Sequence, residues 1–268
     1  MKIIKKSNTI NKILEKYHNV GFVPTMGTLH EGHISLIRKS KKESSRTVVS
    51  IFVNPKQFTK KKDFESYPKK IKEDIKICKK NNVDYLFLPS FSEIYDWDSG
   101  KKAYPKIKNI MEQKFRKNHF KGVLDVIAKL FSIIKNTKVY MGEKDYQQLH
   151  VVRQFCKINK IQSEIIACKT IRSKEGYALS SRNLLLSKDF HQIMKSVYKK
   201  MHRYKSQNLN KAFNRSVLKK DIKKAGVEKI DYIDLVNLQT FSKVRKISRK
   251  TNIFIAYYLN GVRLIDNI

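Results

Sequence analysis

An α/β fold, a Rossmann-like parallel sheet flanked by helices with a smaller C-terminal α+β domain, is what the 268-residue sequence predicts. Three observations lead there. Short runs rich in Val, Ile and Phe alternate with helix-period segments over the first two-thirds, as strands buried on both faces and their crossover helices should. The last third instead places helical patterns ahead of extended segments and a hairpin signal. Hydrophobic residues make up 41% of the chain, with 14 Phe and 13 Tyr, so the composition supports a packed core and excludes a disordered chain.

In chain order, the segments 20–24, 47–53, 85–88, 138–141 and 163–167 read as buried parallel strands. Between them, Val123, Val126, Ile127, Leu130, Ile133 and Ile134 fall on one face of a helix expected over 122–134. A second helix follows Pro68, a favoured first helical residue, with Ile71, Ile75 and Cys78 inward. Repeated βα units put ligands at the C-terminal ends of the strands. Helical patterns near 188–206 and 211–225 precede an extended stretch at 230–235. Asn260-Gly261 then separates 253–259 from 262–265 as a two-residue hairpin turn. The expected domains are 1–172, carrying the parallel sheet, and 173–268, a smaller α+β domain. The boundary falls in 170–176.

The chain carries 58 Lys and Arg against 23 Asp and Glu, a net charge of +35. Eleven of the 58 are Arg and 47 are Lys, whereas base-reading proteins favour the planar fork of Arg. No basic tail or nucleic-acid motif concentrates the charge, and codon bias on tolerant surfaces produces the same Lys-rich pattern, so a nucleic-acid partner is not expected. Lys60-Lys61-Lys62 reads as a solvated loop. No segment approaches the ~20 apolar residues that cross a bilayer, and the basic start lacks a signal-peptide core. Cys78, Cys156 and Cys168 fit neither a disulfide framework nor a zinc spacing. A cytoplasmic protein is expected.

The most informative segment is Pro24-Thr25-Met26-Gly27-Thr28-Leu29-His30-Glu31-Gly32-His33, which follows the first predicted strand and opens a helix. Glycines 27 and 32 let backbone approach a ligand, and a helix N-terminus favours anions. His30 and His33, three apart, share one face and can donate to oxygens whose charge grows during displacement at phosphorus. A zinc pair would need two more ligands, and none is near in sequence. Without further signal, a phosphate site and a surface pair remain equal alternatives. His18, His119, His150, His191 and His202 are scattered and read as surface residues.

This segment resembles the His-x-Gly-His signature of the nucleotidylyltransferase and class I aminoacyl-tRNA synthetase superfamily, and its fuller wording is similar to that of the pantoate–β-alanine ligase family. The likeness continues through Phe52-Val53-Asn54-Pro55-Lys56-Gln57-Phe58, Tyr67-Pro68, His119-Phe120-Lys121-Gly122-Val123, Gly142-Glu143-Lys144-Asp145-Tyr146-Gln147-Gln148-Leu149, Leu179-Ser180-Ser181-Arg182-Asn183 and Arg263-Leu264-Ile265-Asp266-Asn267. It implies ATP-dependent condensation of (R)-pantoate with β-alanine through a pantoyl adenylate, giving pantothenate, AMP and pyrophosphate. ATP is then a co-substrate, Mg²⁺ assists, and a homodimer is the expected assembly.

The resemblance also distributes roles. His33, His30 and Lys144 are the catalytic candidates, with His33 the proton donor. Met26, Gly27, Thr28, Leu29, His30, Glu31, Gly32, His33, Gly142, Glu143, Lys144, Asp145, Ile171, Leu179, Ser180, Ser181 and Arg182 go to ATP. Gln57 goes to pantoate and β-alanine, and Gln148 to pantoate; no metal ligand is assigned. On chemistry alone, Gln57 reads as an ordinary loop amide, while Lys144 could be a solvated helix-start lysine and Ser180 a helix cap beside a surface Arg182. In the superfamily a mobile loop analogous to 180–183 closes over the triphosphate and excludes water. Four features depart from the family pattern: Thr28, Lys56, the 60–62 lysines, and Asp125, an acid at the expected start of the 122–134 helix. They bear on substrate affinity rather than on the reaction.

Overall fold

The computed structural model describes all 268 residues, Met1–Ile268. The chain forms two compact units, Met1–Lys169 and Thr170–Ile268; this division lies three residues before the expected one after residue 172. In the first unit, strands β1 (Lys2–Ile4), β2 (Val20–Thr25), β3 (Arg46–Ile51), β4 (Tyr85–Phe87), β5 (Lys138–Gly142) and β6 (Glu164–Cys168) form one sheet in the order β1-β4-β3-β2-β5-β6. Every pairing is parallel. The chain winds outward from β2 to β4, then crosses back to place β5 beside β2. That reversal between β2 and β5 is the topological switch point, where a doubly wound sheet opens its ligand crevice.

Eight helices accompany the sheet: α1 (Ser7–Leu14), α2 (Glu31–Glu43), α3 (Lys61–Glu65), α4 (Ile71–Lys80), α5 (Phe91–Tyr95), α6 (Met111–Phe115), α7 (His119–Ile133) and α8 (Tyr146–Ile158). Successive strand residues feed opposite faces. Phe22, Val48, Phe87 and Val139 pack with the apolar stripe of α7 and with Val152 and Phe155 of α8. Val23, Val49, Leu86 and Tyr140 pack with Leu36 and Ile37 of α2 and Cys78 of α4. This two-sided burial is why the strands read as continuous apolar runs rather than alternating ones.

All six predicted stripe residues of α7 are buried. The helix begins at His119, one turn before the expected start, so Asp125 lies in its second turn and the N-terminal dipole argument for that acid lapses. Helix α4 begins at Ile71, three residues beyond Pro68. Ile71, expected inward, is 43% exposed because it stands in the opening turn, whereas Cys78 is fully buried. β1 and α1 were not foreseen: β1 is a three-residue edge strand burying only Ile4, and interspersed polar residues mask the period of α1. The 60–62 lysines lie at the start of α3, a short exposed helix rather than a loop.

The second unit holds α9 (Lys188–Gln207), α10 (Arg215–Lys223) and strands β7 (Lys229–Asn237), β8 (Ser242–Lys243), β9 (Thr251–Leu259) and β10 (Val262–Asn267), an antiparallel sheet in the order β10-β9-β7-β8. Asn260 (φ 47°) and Gly261 (φ 70°) both adopt positive φ, as a two-residue hairpin of this hand requires. Met194, Val197 and Met201 of α9 and Leu218 and Ile222 of α10 cover Ile233, Leu235, Ile253 and Ile255 of the sheet. All three cysteines are free and buried. Burial pushes the Cys78 thiol up to about 12, and Cys156 and Cys168 to about 11, so they pack as small apolar groups. No helix is long and apolar enough to cross a membrane.

Candidate active site

The turn from β2 into α2 lies at the switch point. Thr25 donates its hydroxyl to the Ser50 carbonyl (2.8 Å) and accepts the Gly27 N–H (3.1 Å), tying the turn to β3. The backbone then takes two consecutive left-handed residues, Gly27 (φ 81°) and Thr28 (φ 54°). Glycine adopts this freely, but a β-branched residue does not. Thr28 is held by its hydroxyl, which donates to the Pro68 carbonyl at 2.6 Å, and by its N–H, which donates to Asp74 Oδ2 at 2.8 Å. The Leu29 N–H reaches the other oxygen, Oδ1, at 2.7 Å. Burial pushes the Asp74 carboxyl up, and these two N–H groups oppose that shift.

His30 is the N-cap of α2, and its Nδ1 accepts the Gly32 N–H at 3.1 Å. His33 returns the arrangement: its Nδ1 accepts the His30 N–H at 3.3 Å. The pair is a capping box built from imidazoles, with ring centroids 4.2 Å apart. A Cβ on Gly32 would sit 2.7 Å from His30 Cε1, so the glycine is what lets this ring fold back over the turn. With both Nδ1 atoms accepting, each neutral ring carries its proton on Nε2, on the side away from the turn. Burial, then the Lys144 charge, lowers His30 to about 4; burial, then His30 and Lys144, lowers His33 well below its ordinary value. Both rings are therefore neutral near pH 7, and the site offers two fixed N–H dipoles rather than two cations.

Gln57, 9% exposed, ends a 3₁₀ turn (Pro55–Gln57) beyond β3. Its Nε2 donates to Met26 Sδ (2.8 Å), which brings the amide against the β2–α2 turn. Asn54 shapes this turn: its Oδ1 caps the Lys56 N–H and accepts the Tyr95 hydroxyl, and its Nδ2 donates to the Gly122 carbonyl. A Cβ on Gly122 would lie 2.2 Å from the Lys56 carbonyl oxygen, so only glycine lets α7 approach so closely. His119, expected at the surface, is buried. Its Nε2 accepts from Arg116, which assigns the ring proton to Nδ1 and a 2.8 Å donation to the Gln57 carbonyl. Arg116 is in turn paired with Glu112 at 3.4 Å.

Lys144 follows β5 in a second 3₁₀ turn (Glu143–Asp145) at the other side of the crevice. Its ammonium lies 3.8 Å from Asp145 Oδ2, and its field reaches both histidines. Gln148, half-buried on the next turn of α8, keeps its amide clear of protein partners, whereas neighbouring Gln147 is buried and fastens the Ile110 carbonyl and the Glu112 N–H. Glu31 turns outward to Arg38, away from the histidine face. The first unit thus gathers Met26, Gly27, Thr28, Leu29, the histidine pair, Gln57 and the 142–145 turn at the strand ends.

The remaining expected residues belong to the second unit. Ile171 and Leu179 are joined by a backbone hydrogen bond of 3.1 Å. Ser180 caps a 3₁₀ turn (Ser181–Leu185) in a box with Asn183, which places Ser181 and Arg182 in its first two positions. Arg172 grips both Asp266 oxygens at 3.1 Å and also the Gly176 carbonyl, while Asp266 accepts the Ala178 N–H at 3.0 Å. The familial C-terminal segment therefore anchors the hairpin that leads into Ser180.

The departures from the family pattern find local explanations. Lys56 Nζ sits 3.7 Å from the centre of the Tyr95 ring, a cation–π contact on the outer side of the turn. Asp125 accepts the Tyr104 hydroxyl at 2.5 Å and lies 3.8 Å from Lys121. Sequence reasoning missed Asp74, Asn54, Gln147, Arg116 and the burial of His119. Asp74 left one trace, a carboxylate one turn ahead of Cys78 on the inward stripe of α4. Asn54-Pro55 is a turn-initiating pair.

The family profile described as pantoate-beta-alanine ligase matches residues 2–268. A pantothenate synthetase of Caldicellulosiruptor saccharolyticus is 40% identical over 272 residues, covering 100% of this chain and 97% of that protein. The crystal structure of the pantoate-beta-alanine ligase from Francisella tularensis, complexed with beta-gamma ATP and beta-alanine, is 39% identical, with a TM-score of 0.85 over 100% of this chain and 97% of that one. The pantothenate synthetase of Thermus thermophilus superposes with a TM-score of 0.88 at 30% identity, covering 100% of this chain and 99% of the other.

Proposed function

This chain belongs to the pantoate–β-alanine ligase family, and from that premise we propose how its residues divide the work. It is an enzyme of pantothenate biosynthesis, an ATP-dependent ligase of pantoate and β-alanine. The observation that supports the division most directly is the reciprocal imidazole cap, which leaves two Nε2–H donors on one face at the switch point.

In the first step the pantoate carboxylate attacks the α-phosphorus of ATP; the new O–P bond forms as the bond to pyrophosphate breaks. No side chain becomes a covalent nucleophile, so catalysis is positioning and charge stabilisation. His30 and His33 donate hydrogen bonds from Nε2 to phosphate oxygens, and Lys144 supplies the positive charge. His33, its pKa far below neutrality, acts as a hydrogen-bond donor rather than by losing a proton. Gln57 and Gln148 orient pantoate through amides suited to carboxylate and hydroxyl groups. In the second step the β-alanine amine attacks the acyl carbon and AMP departs with its electron pair.

Ser180, Ser181 and Arg182 are assigned to ATP phosphates, and Ile171 and Leu179 to the nucleotide, on their chemistry and the family pattern. Mg²⁺ suits this donor set: no cluster of three or more His, Cys, Asp or Glu side chains could cage a metal, and Mg²⁺ is ordinarily held by substrate phosphates with one or two carboxylates. Glu143 and Asp145, on the turn beside Lys144, would be the carboxylates that share such an ion with the triphosphate. The proposed domains are 1–172 and 173–268, the compartment the cytoplasm, and the assembly a homodimer. Incubation with ATP, Mg²⁺, pantoate and β-alanine should yield equimolar AMP and pantothenate. Hydrolysis of ATP without pantothenate would refute the ligase reading.

A further inference from the structure

Asp74 is 1% exposed on the first turn of α4, and no Lys or Arg pairs with it in a chain of net charge +35. A buried carboxylate without a directly paired cation is costly, the Lys70 charge acting on Asp74 less than burial and the two N–H groups do, and a negative charge beside a triphosphate site opposes ATP binding. Its task must therefore need an acid. Two consecutive N–H groups, those of Thr28 and Leu29, converge on its two oxygens at 2.8 and 2.7 Å. Asparagine offers one acceptor and would set an NH₂ against the other donor.

What those bonds hold is a turn that does not hold itself. Thr28 keeps φ at 54°, a region that β-branched residues avoid, and such strain persists only where surroundings over-determine it. Gly27 passes so close that a Cβ there would lie 2.9 Å from Asp74 Oδ2. Leu29 directly precedes His30, the first member of the imidazole cap. We propose that Asp74 is a positioning residue for adenylation: by clamping the Thr28 and Leu29 N–H groups it fixes the left-handed turn that aims the Nε2–H donors of His30 and His33 at phosphate.

The inference rests on the phosphate-donor reading of the histidine pair, and one experiment separates the two. Pantoate-dependent ATP–pyrophosphate exchange is measured for the enzyme, Asp74→Asn, His30→Ala/His33→Ala and the triple variant. A displacement of about 1 Å can cost about 10²-fold in rate, so Asp74→Asn should lower exchange kcat by about that factor with the pantoate KM unchanged. In the histidine-free background the same substitution should cost nothing further, because residues acting through one another are non-additive. If the histidine variant loses exchange and Asp74→Asn does not, or if its loss recurs in full in the triple variant, the Asp74 inference is overturned alone. If the histidine variant keeps normal exchange, the donor reading falls first. Should Asp74→Asn not fold, hydrogen exchange on the unaltered enzyme decides: Thr28 and Leu29 amides should be strongly protected, and free exchange at either would overturn the clamp.

Discussion

Where the protons of His30 and His33 reside determines how the site treats a triphosphate. Each Nδ1 is occupied by a backbone N–H, so the rings meet a ligand through Nε2 as neutral donors. His30 sits at about 4 in the folded chain against an ordinary 6.5. The unfolded chain therefore takes up this proton first, and the stability contributed by the neutral ring is lost as pH falls from about 6.5 through about 4. Since kcat/KM reports the free enzyme and free ATP, the pair should add no acid limb near pH 6.5 to the kcat/KM profile for ATP; a limb there that disappears in His30→Ala or His33→Ala would show that the ring is charged before ATP binds. Removing one preorganised donor costs about 10²–10³ in rate, so His33→Ala should lower adenylate formation by such a factor while circular dichroism shows a folded protein. The pairing of His30 with His33 was legible from spacing alone. Asp74 was not, because its partners are backbone groups 45 and 46 residues away.

Among the elements, the junction of α7 with the Pro55–Gln57 turn positions the amide of Gln57. The stripe of α7 was legible because 3.6-residue periodicity survives in a long helix buried along one face. Its start was not: Asn118, in the left-handed region at φ 61°, supplies no capping side chain. Gly122 has too little room for a methyl group against the Lys56 carbonyl. Gly122→Ala should therefore destabilise the protein by about 1–3 kcal/mol, as over-packing does, read by urea denaturation. It should raise the pantoate KM more than the ATP KM, as Gln57→Ala should; equal changes in both would show that the junction does not govern the pantoate side. β1 and α1 were illegible because they are short, three and eight residues, even though Ile10 and Leu14 of α1 reach the core.

Across the whole molecule, each unit has its own apolar core, that of the second built from α9, α10 and the β7–β10 sheet. A net charge of +35 spread over this surface repels itself. Because the Debye length is about 10 Å at 0.1 M salt, raising NaCl from low concentration toward that value should raise Tm, followed by differential scanning fluorimetry. A flat or falling Tm would show that the lysines are already locally compensated. The central claim is that a carboxylate is adenylated first and an amine acylated second, on positioned donors without a covalent enzyme intermediate. Isotope exchange between ATP and pyrophosphate tests it most directly. Pantoate alone should support exchange and β-alanine alone should not, because the first half-reaction never meets the amine. Exchange that appears only when β-alanine is added would contradict the account.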